Sequence, residues 1–169
     1  QEIGNWPGKT VERAEGLLQY RGRRIRVIDL PGIYSITARS TEEQVSREFI
    51  AHDHPDVVVN VVDASALERN LFFTLQLVEL ESPLILAVTQ MDLAAKKGIV
   101  IDLRKLSALL GIPVIPTVAI MGKGMVELSD AIIEATRSRP EPHLIPNILY
   151  AAQGRRPSLD RVGHLQRRD

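Results

Sequence analysis

The chain has 169 residues, 44% hydrophobic and 25% charged, enough for one domain around one substantial core. Its 21 basic residues balance 21 acidic ones, and this neutrality argues against nonspecific nucleic-acid binding, which needs a basic surface. There is no cysteine, which excludes disulfide scaffolds, zinc ribbons and thiol catalysis and fits a cytosolic protein. Aromatic residues make up only 4%, so the core is expected to consist of Leu, Ile, Val and Ala. No apolar run reaches the ~18 residues of a membrane span, so this chain is expected to be soluble. No secretory signal opens it, and a start at Gln1 without Met is what a fragment would show.

Nothing ahead of Gly8 has the length of a full strand. Glu15 to Tyr20 reads as a strand that turns back in a hairpin around Arg21-Gly22. The next run, RIRVIDL at Arg24 to Leu30, alternates apolar and polar residues and is placed near a sheet edge. Ser40-Thr41-Glu42-Glu43 forms a capping box before Val45, Phe49 and Ile50, which predicts a helix. DVVVNVVD (Asp56 to Asp63), PLILAVT (Pro83 to Thr89) and IPVIPTV (Ile112 to Val118) are apolar at nearly every position, as strands buried on both faces are. Between them, Ser65-x-x-Glu68 reads as a second capping box before Leu67, Leu71, Leu75 and Val78. Asp102 is placed to cap a helix carrying Leu103, Leu106 and Leu110, closed by Gly111, with Pro113 blocking its continuation. Met125, Leu128, Ile132 and Ala135 mark a last helix.

Strand and helix thus alternate, which predicts an α/β domain with a mainly parallel sheet over residues 1–139. From Pro140 to Asp169 the pattern fails. The segment holds four prolines and an Arg-rich end, and it reads as a tail or irregular extension. An RNA-binding role for Arg155, Arg156, Arg161, Arg167 and Arg168 is disfavoured, because Asp160 and Asp169 dilute the charge and no aromatic interleaves it. His52, His54, His143 and His164 lack metal-ligand spacing.

Three segments at strand ends carry chemistry. Asp29-Leu30-Pro31-Gly32 follows an apolar strand, where ligands of parallel α/β sheets gather. An Asp there can hold magnesium directly or through water, and a Gly three residues later lets its N–H approach a terminal phosphate; the same residues also make an ordinary turn. Thr89-Gln90-Met91-Asp92 matches the place where GTP-binding proteins usually carry Asn-Lys-x-Asp. A carboxylate there accepts from guanine N1 and N2, a donor pair adenine lacks, whereas Thr for Asn loses the amide's two-sided hydrogen bonding. A plain helix cap is the other reading of Asp92. Thr117-Val118-Ala119 could offer backbone N–H groups to guanine O6, or simply end a strand. Gly8-Lys9-Thr10 is not a phosphate loop, because the Gly required five residues before the Gly-Lys pair is Ile3 and no strand-to-helix context surrounds it.

With these motifs in that order, the match to one family becomes close. GNWPGKTVE (Gly4 to Glu12) resembles the switch I segment of the ferrous-iron transport protein B (FeoB) family. So do DLPGIYSIT (Asp29 to Thr37), PDVVVNVVDASALERNLFFTLQLVEL (Pro55 to Leu80) and GIPVIPTVAIMGKGM (Gly111 to Met125). The resemblance runs from about Gln1 to Ala135, and GNWPG and ERNLFFTLQLVEL are more specific than generic GTPase motifs.

The resemblance implies a Ras-like P-loop GTPase-type α/β fold that binds guanine nucleotide with magnesium, in the cytoplasmic part of a membrane iron transporter. Its partner would be that transporter's membrane permease part, at the cytoplasmic face of the cell membrane. By the same resemblance, nucleotide contacts fall to Gly8, Lys9, Thr10, Val11 and Glu12 of switch I. Others fall to Asp29, Leu30, Pro31 and Gly32, then Thr89, Gln90, Met91 and Asp92, and finally Thr117, Val118 and Ala119. Thr10 and Asp29 would serve magnesium. Lys9 stands where the family usually has an apolar residue. Ile33 occupies the position of the water-orienting Gln of Ras-like proteins, which implies slow hydrolysis and no catalytic side chain there.

The chain departs from the family in holding no GxxxxGK[ST] segment, nor the first strand and helix that flank it, a stretch of about thirty residues. In Ras-like sheets that strand lies between the counterparts of RIRVIDL and DVVVNVVD. Without it the two must pair directly, stay unpaired or be bridged, at about 1–3 kcal/mol for each buried unsatisfied group. Two functions therefore stay open: a GTPase domain of iron transport compromised in nucleotide binding, and a non-catalytic binding module derived from one.

Overall fold

A computed structural model of the protein describes residues 2–5, 12–31, 41–80 and 82–137. The predicted tail from Pro140 lies outside them, as do Gly8, Lys9, Thr10, Val11, Gly32 and Ile33.

The first half builds an antiparallel meander of β1 (Glu2–Asn5), β2 (Glu12–Tyr20) and β3 (Arg23–Asp29), in the order β1-β2-β3. The hairpin forms where the sequence places it. Arg21 and Gly22 take φ of 46° and 75°, the pair of left-handed residues that a two-residue hairpin with native twist requires. Tyr20 pairs with Arg23, and the register continues to Ala14 opposite Asp29. β2 starts at Glu12 rather than Glu15, and its extra residues give Glu2–Asn5 a partner, Asn5 opposite Glu12. The chain ahead of Gly8 therefore does hold a strand, a short one at the edge of the meander.

The second half is a parallel sheet, β4 (Val58–Asp63), β5 (Leu84–Thr89) and β6 (Val114–Pro116), in the order β4-β5-β6. α1 (Thr41–Asp53) precedes β4, α2 (Leu67–Val78) links β4 to β5, and α3 (Met91–Lys96) with α4 (Leu103–Leu110) links β5 to β6. α5 (Met125–Ala135) follows. Leu84 to Val88 are all buried, with Ile50, Val58, Val62, Leu77, Val78 and Ile112 packed around β5. Burying such residues on both faces is what the unbroken apolar run required. Asp102 caps α4, its Oδ1 accepting from the Lys105 N–H at 2.9 Å, and Gly111 closes the helix at φ 69°.

Four expectations are corrected. Ser65 does not open α2. Asp63 Oδ1 accepts from the Ser65 N–H at 2.7 Å, a 3-10 turn forms over Ala64–Ala66, and α2 begins at Leu67 without a side-chain cap. β4 is not buried on both faces, since Val61 is 65% exposed. Strand IPVIPTV shrinks to Val114–Pro116, with Pro113 just ahead of it contributing only its carbonyl, which accepts from the Leu86 N–H at 2.9 Å. The expected stripe of α5 is shifted, with Ile133 buried and Met125 42% exposed. As for β3 and β4, they do not pair: each ends its own sheet. No residue of β3 is buried, so water can meet much of its free edge.

Candidate guanine-nucleotide site

The carboxyl ends of β5 and β6 lie side by side, with Val88 in register with Pro116 and the Thr117 N–H donating to the Val88 carbonyl at 2.7 Å. Thr89, half-buried, ends β5. Gln90 turns left-handed at φ 57°, and its carbonyl accepts the Ala94 N–H at 3.0 Å to start α3. Met91 packs against the core and Ala94 is buried, so the two anchor the short helix. Asp92, between them, is exposed. Of the four residues of this motif, Met91 turns to the core, whereas Gln90 and Asp92 face solvent.

Thr117 is 5% exposed and sits under the turn that follows β6. The Val118 N–H donates to the Lys123 carbonyl at 3.0 Å, the Met121 N–H to the Val118 carbonyl at 3.0 Å, and the Gly122 N–H to the Ala119 carbonyl at 3.1 Å. Of the three N–H groups expected to meet a base, those of Thr117 and Val118 are thus spent within the protein. The Ala119 N–H has no acceptor among the described residues, and Ala119 is exposed. One edge of the parallel sheet therefore presents an exposed carboxylate at Asp92 and a spare backbone donor at Ala119. Guanine, with donors at N1 and N2 beside an acceptor at O6, offers the complementary set.

Asp29 stands at the end of β3, exposed, opposite Ala14. Leu30 packs against the core, and the Pro31 carbonyl accepts from the buried Ser46 hydroxyl at 3.3 Å. The two residues after Asp29 are thus fixed to the core and to α1. An exposed carboxylate suits magnesium, which takes one or two carboxylates plus phosphate oxygens rather than a protein cage. Among the described residues no group of three His, Cys, Asp or Glu could hold a metal ion. Glu12 opens β2, while Thr10, the other expected magnesium ligand, lies outside the described residues.

A surface cleft of about 400 Å³ lies elsewhere, between the hairpin and α5, lined by Arg21, Arg23, Asp130, Ile133, Glu134 and Arg137. Asp130 there accepts from the Tyr20 hydroxyl and from Arg21, both at 2.9 Å, and Arg137 meets Glu134 at 3.5 Å. The cleft shares no residue with the base edge. Sequence reasoning missed the left-handed Gln90 and the Gly122-Lys123-Gly124 brace, although a Gly-x-Gly directly before a helix was a visible signal.

The family model of ferrous iron transport protein B matches residues 1–132. The Fe(2+) transporter FeoB of Escherichia coli strain K12 is 46% identical over 136 residues, which cover 78% of this chain and 18% of that protein. The Fe(2+) transport protein A/Fe(2+) transporter FeoB fusion protein of Porphyromonas gingivalis is 44% identical over 140 residues, covering 82% and 17%. The chain thus spans less than a fifth of the length of these relatives. Among solved structures, the FeoB G-domain of Methanococcus jannaschii superposes with a TM-score of 0.69 at 48% identity, covering 73% of this chain and 80% of that one. The GMPPNP form of the cytosolic domain of T. maritima FeoB gives 0.78 at 38%, covering 85% and 57%. Among the described residues, no helix is long and apolar enough to cross a membrane. With a family model over most of its length and G domains as its structural neighbours, the chain belongs to the ferrous iron transport protein B family and has the Ras-like α/β fold of that family's G domain.

Proposed function

We propose that this chain is the guanine-recognising part of a magnesium-dependent GTPase domain serving ferrous-iron uptake, working with the membrane permease part of such a transporter at the cytoplasmic face. The observation that carries this reading is that the exposed Asp92 and the Ala119 N–H, which has no acceptor among the described residues, follow the adjacent ends of β5 and β6. The Asp92 carboxylate accepts from guanine N1 and N2, and the Ala119 N–H donates to O6. Thr89 and Gln90 border the base. On the phosphate side, Asp29 and the switch I residue Thr10 would hold magnesium, and the Gly32 N–H would serve the terminal phosphate. Magnesium, when bound, neutralises phosphate charge.

The 169 residues contain no GxxxxGK[ST] loop, whose backbone N–H groups and Lys supply most of the grip on β- and γ-phosphates. The chain by itself therefore recognises the base and holds the triphosphate weakly. The alternative, a module that binds without catalysis, shares this base site and differs only in hydrolysis.

The base reading is tested by Asp92→Asn in a version carrying a GxxxxGK[ST] strand, loop and helix fused ahead of Gln1. An amide cannot accept from both guanine donors, so GDP affinity falls and xanthosine diphosphate becomes the preferred ligand. Unchanged GDP affinity removes Asp92 from the site. In the same protein Thr10→Ala slows hydrolysis and spares GDP binding. Equal loss of both would mark a folding defect instead.

A further inference from the structure

We propose that Gly124 is the positioning residue of the base site, setting the direction of the Ala119 N–H by letting the start of α5 lie directly on the backbone of Pro116 and Thr117. The proposal deepens the guanine reading and rests on it. Gly124 sits at φ 79°, immediately before the first residue of α5. A Cβ built there falls onto the Pro116 carbonyl oxygen and comes within 3.1 Å of the Pro116 carbonyl carbon and of the Thr117 Cα. All three are backbone atoms, so no side-chain rotation relieves the contact.

Thr117 cannot retreat either, because its N–H is pinned to the Val88 carbonyl at 2.7 Å and the residue is 5% exposed. On the other side, the Leu128 N–H donates to the Gly124 carbonyl at 2.9 Å and fixes Gly124 to the first turn of α5. Any side chain at 124 must therefore open the turn between Thr117 and Gly124. That turn carries the Ala119 N–H, which has no acceptor among the described residues, and is closed by the bridge of Val118 with Lys123. Gly122 provides an internal contrast. It is also left-handed, at φ 66°, yet a Cβ there meets nothing within 4 Å. Asn tolerates left-handed backbone, so Asn at either position separates the cost of φ from the cost of the Cβ contact.

The experiment follows amide shifts of the 169-residue chain during titration with three nucleotides. Guanosine 5′-monophosphate has both O6 and N2, inosine 5′-monophosphate lacks the N2 amino group, and 6-thioguanosine 5′-monophosphate keeps N1–H and N2 but carries a weakly accepting sulfur in place of O6. The unaltered chain prefers the guanosine nucleotide over each analogue by about five- to tenfold, the worth of one good hydrogen bond. In Gly124→Ala and Gly124→Asn the preference over the 6-thioguanosine nucleotide disappears, while the preference over the inosine nucleotide, which belongs to Asp92, stays. Gly122→Asn keeps both.

Full O6 discrimination in folded Gly124→Ala overturns the proposal. Should the position-124 variants not fold, the unaltered chain decides: the guanosine nucleotide shifts the Ala119 and Gly124 amides together, and the 6-thioguanosine nucleotide shifts both less. A response of Ala119 without Gly124 overturns the proposal. An unaltered chain that discriminates against neither analogue overturns the base-site reading itself, and the proposal with it.

Discussion

The two sheets of this molecule are held by different physics. In the parallel sheet, β5 is buried from Leu84 to Val88 and packed between helices, and its stability comes from apolar burial. In the antiparallel meander, β3 has no buried residue and Val27 is 48% exposed. Its order comes from ladder pairing and from polar contacts: Arg26 paired with Glu15 at 2.9 Å across the strands, and Asp130 of α5 gripping Tyr20 and Arg21 at the hairpin tip. The residues proposed for base recognition, Thr89, Asp92 and Ala119, hang from the first sheet, whereas Asp29, proposed for magnesium, ends a strand of the second. The proposed guanine end is thus built on a rigid support, and the proposed metal-and-phosphate end on a support expected to open at lower cost.

Core truncation separates the two sheets most. Leu86→Ala, at a position with no exposure, is expected to cost about 2–5 kcal/mol in urea unfolding. Val27→Ala in β3 stays within about 1 kcal/mol, and equal costs would erase the distinction. Next in size, Gly111→Ala forces a Cβ into the left-handed cap of α4 and costs about 1–2 kcal/mol in the same measurement. Native-state hydrogen exchange sharpens the contrast strand by strand. The β5 amides exchange only through global unfolding, and the β3 amides exchange faster through local opening.

The smallest effect is a pH dependence at the hairpin tip. The Tyr20 hydroxyl donates to the Asp130 carboxylate, and this hydrogen bond, with some desolvation, raises its pKa above the ordinary 10.0. The folded state therefore keeps a proton that the unfolded state releases earlier. The stabilisation is complete below about pH 10 and is lost as pH rises through the raised value. Melting of Tyr20→Phe and of the unaltered chain should differ at neutral pH and converge in strong base.

Much of this was legible in the sequence, because local signals and packing agree. The apolar run of β5, the Asp102 and Gly111 caps and the Arg21-Gly22 turn each do what their chemistry dictates. The failures occur where a neighbour decides. Ser65 lost its cap role because the side chain of Asp63 reached its N–H first. Val61 looked like core, but burial on both faces needs a covering layer on each, which a run of valines cannot supply. In the candidate site, the carboxylate of Asp92 could be named from its motif. That Met91 serves the core depended on packing, and that only Ala119 of its triplet keeps an N–H without an acceptor among the described residues depended on hydrogen bonds to Val88 and Lys123 from other parts of the chain.

The central claim is that this chain grips the base and not the phosphates. The direct test is calorimetry of the 169-residue chain with magnesium and either GTP or guanosine monophosphate. A few base contacts must overcome about 4 kcal/mol or more of association entropy. Dissociation constants near or above ~1 mM are therefore expected for both, within about threefold of each other. Micromolar GTP binding, far tighter than the monophosphate, would contradict it and show that these residues supply a phosphate site of their own.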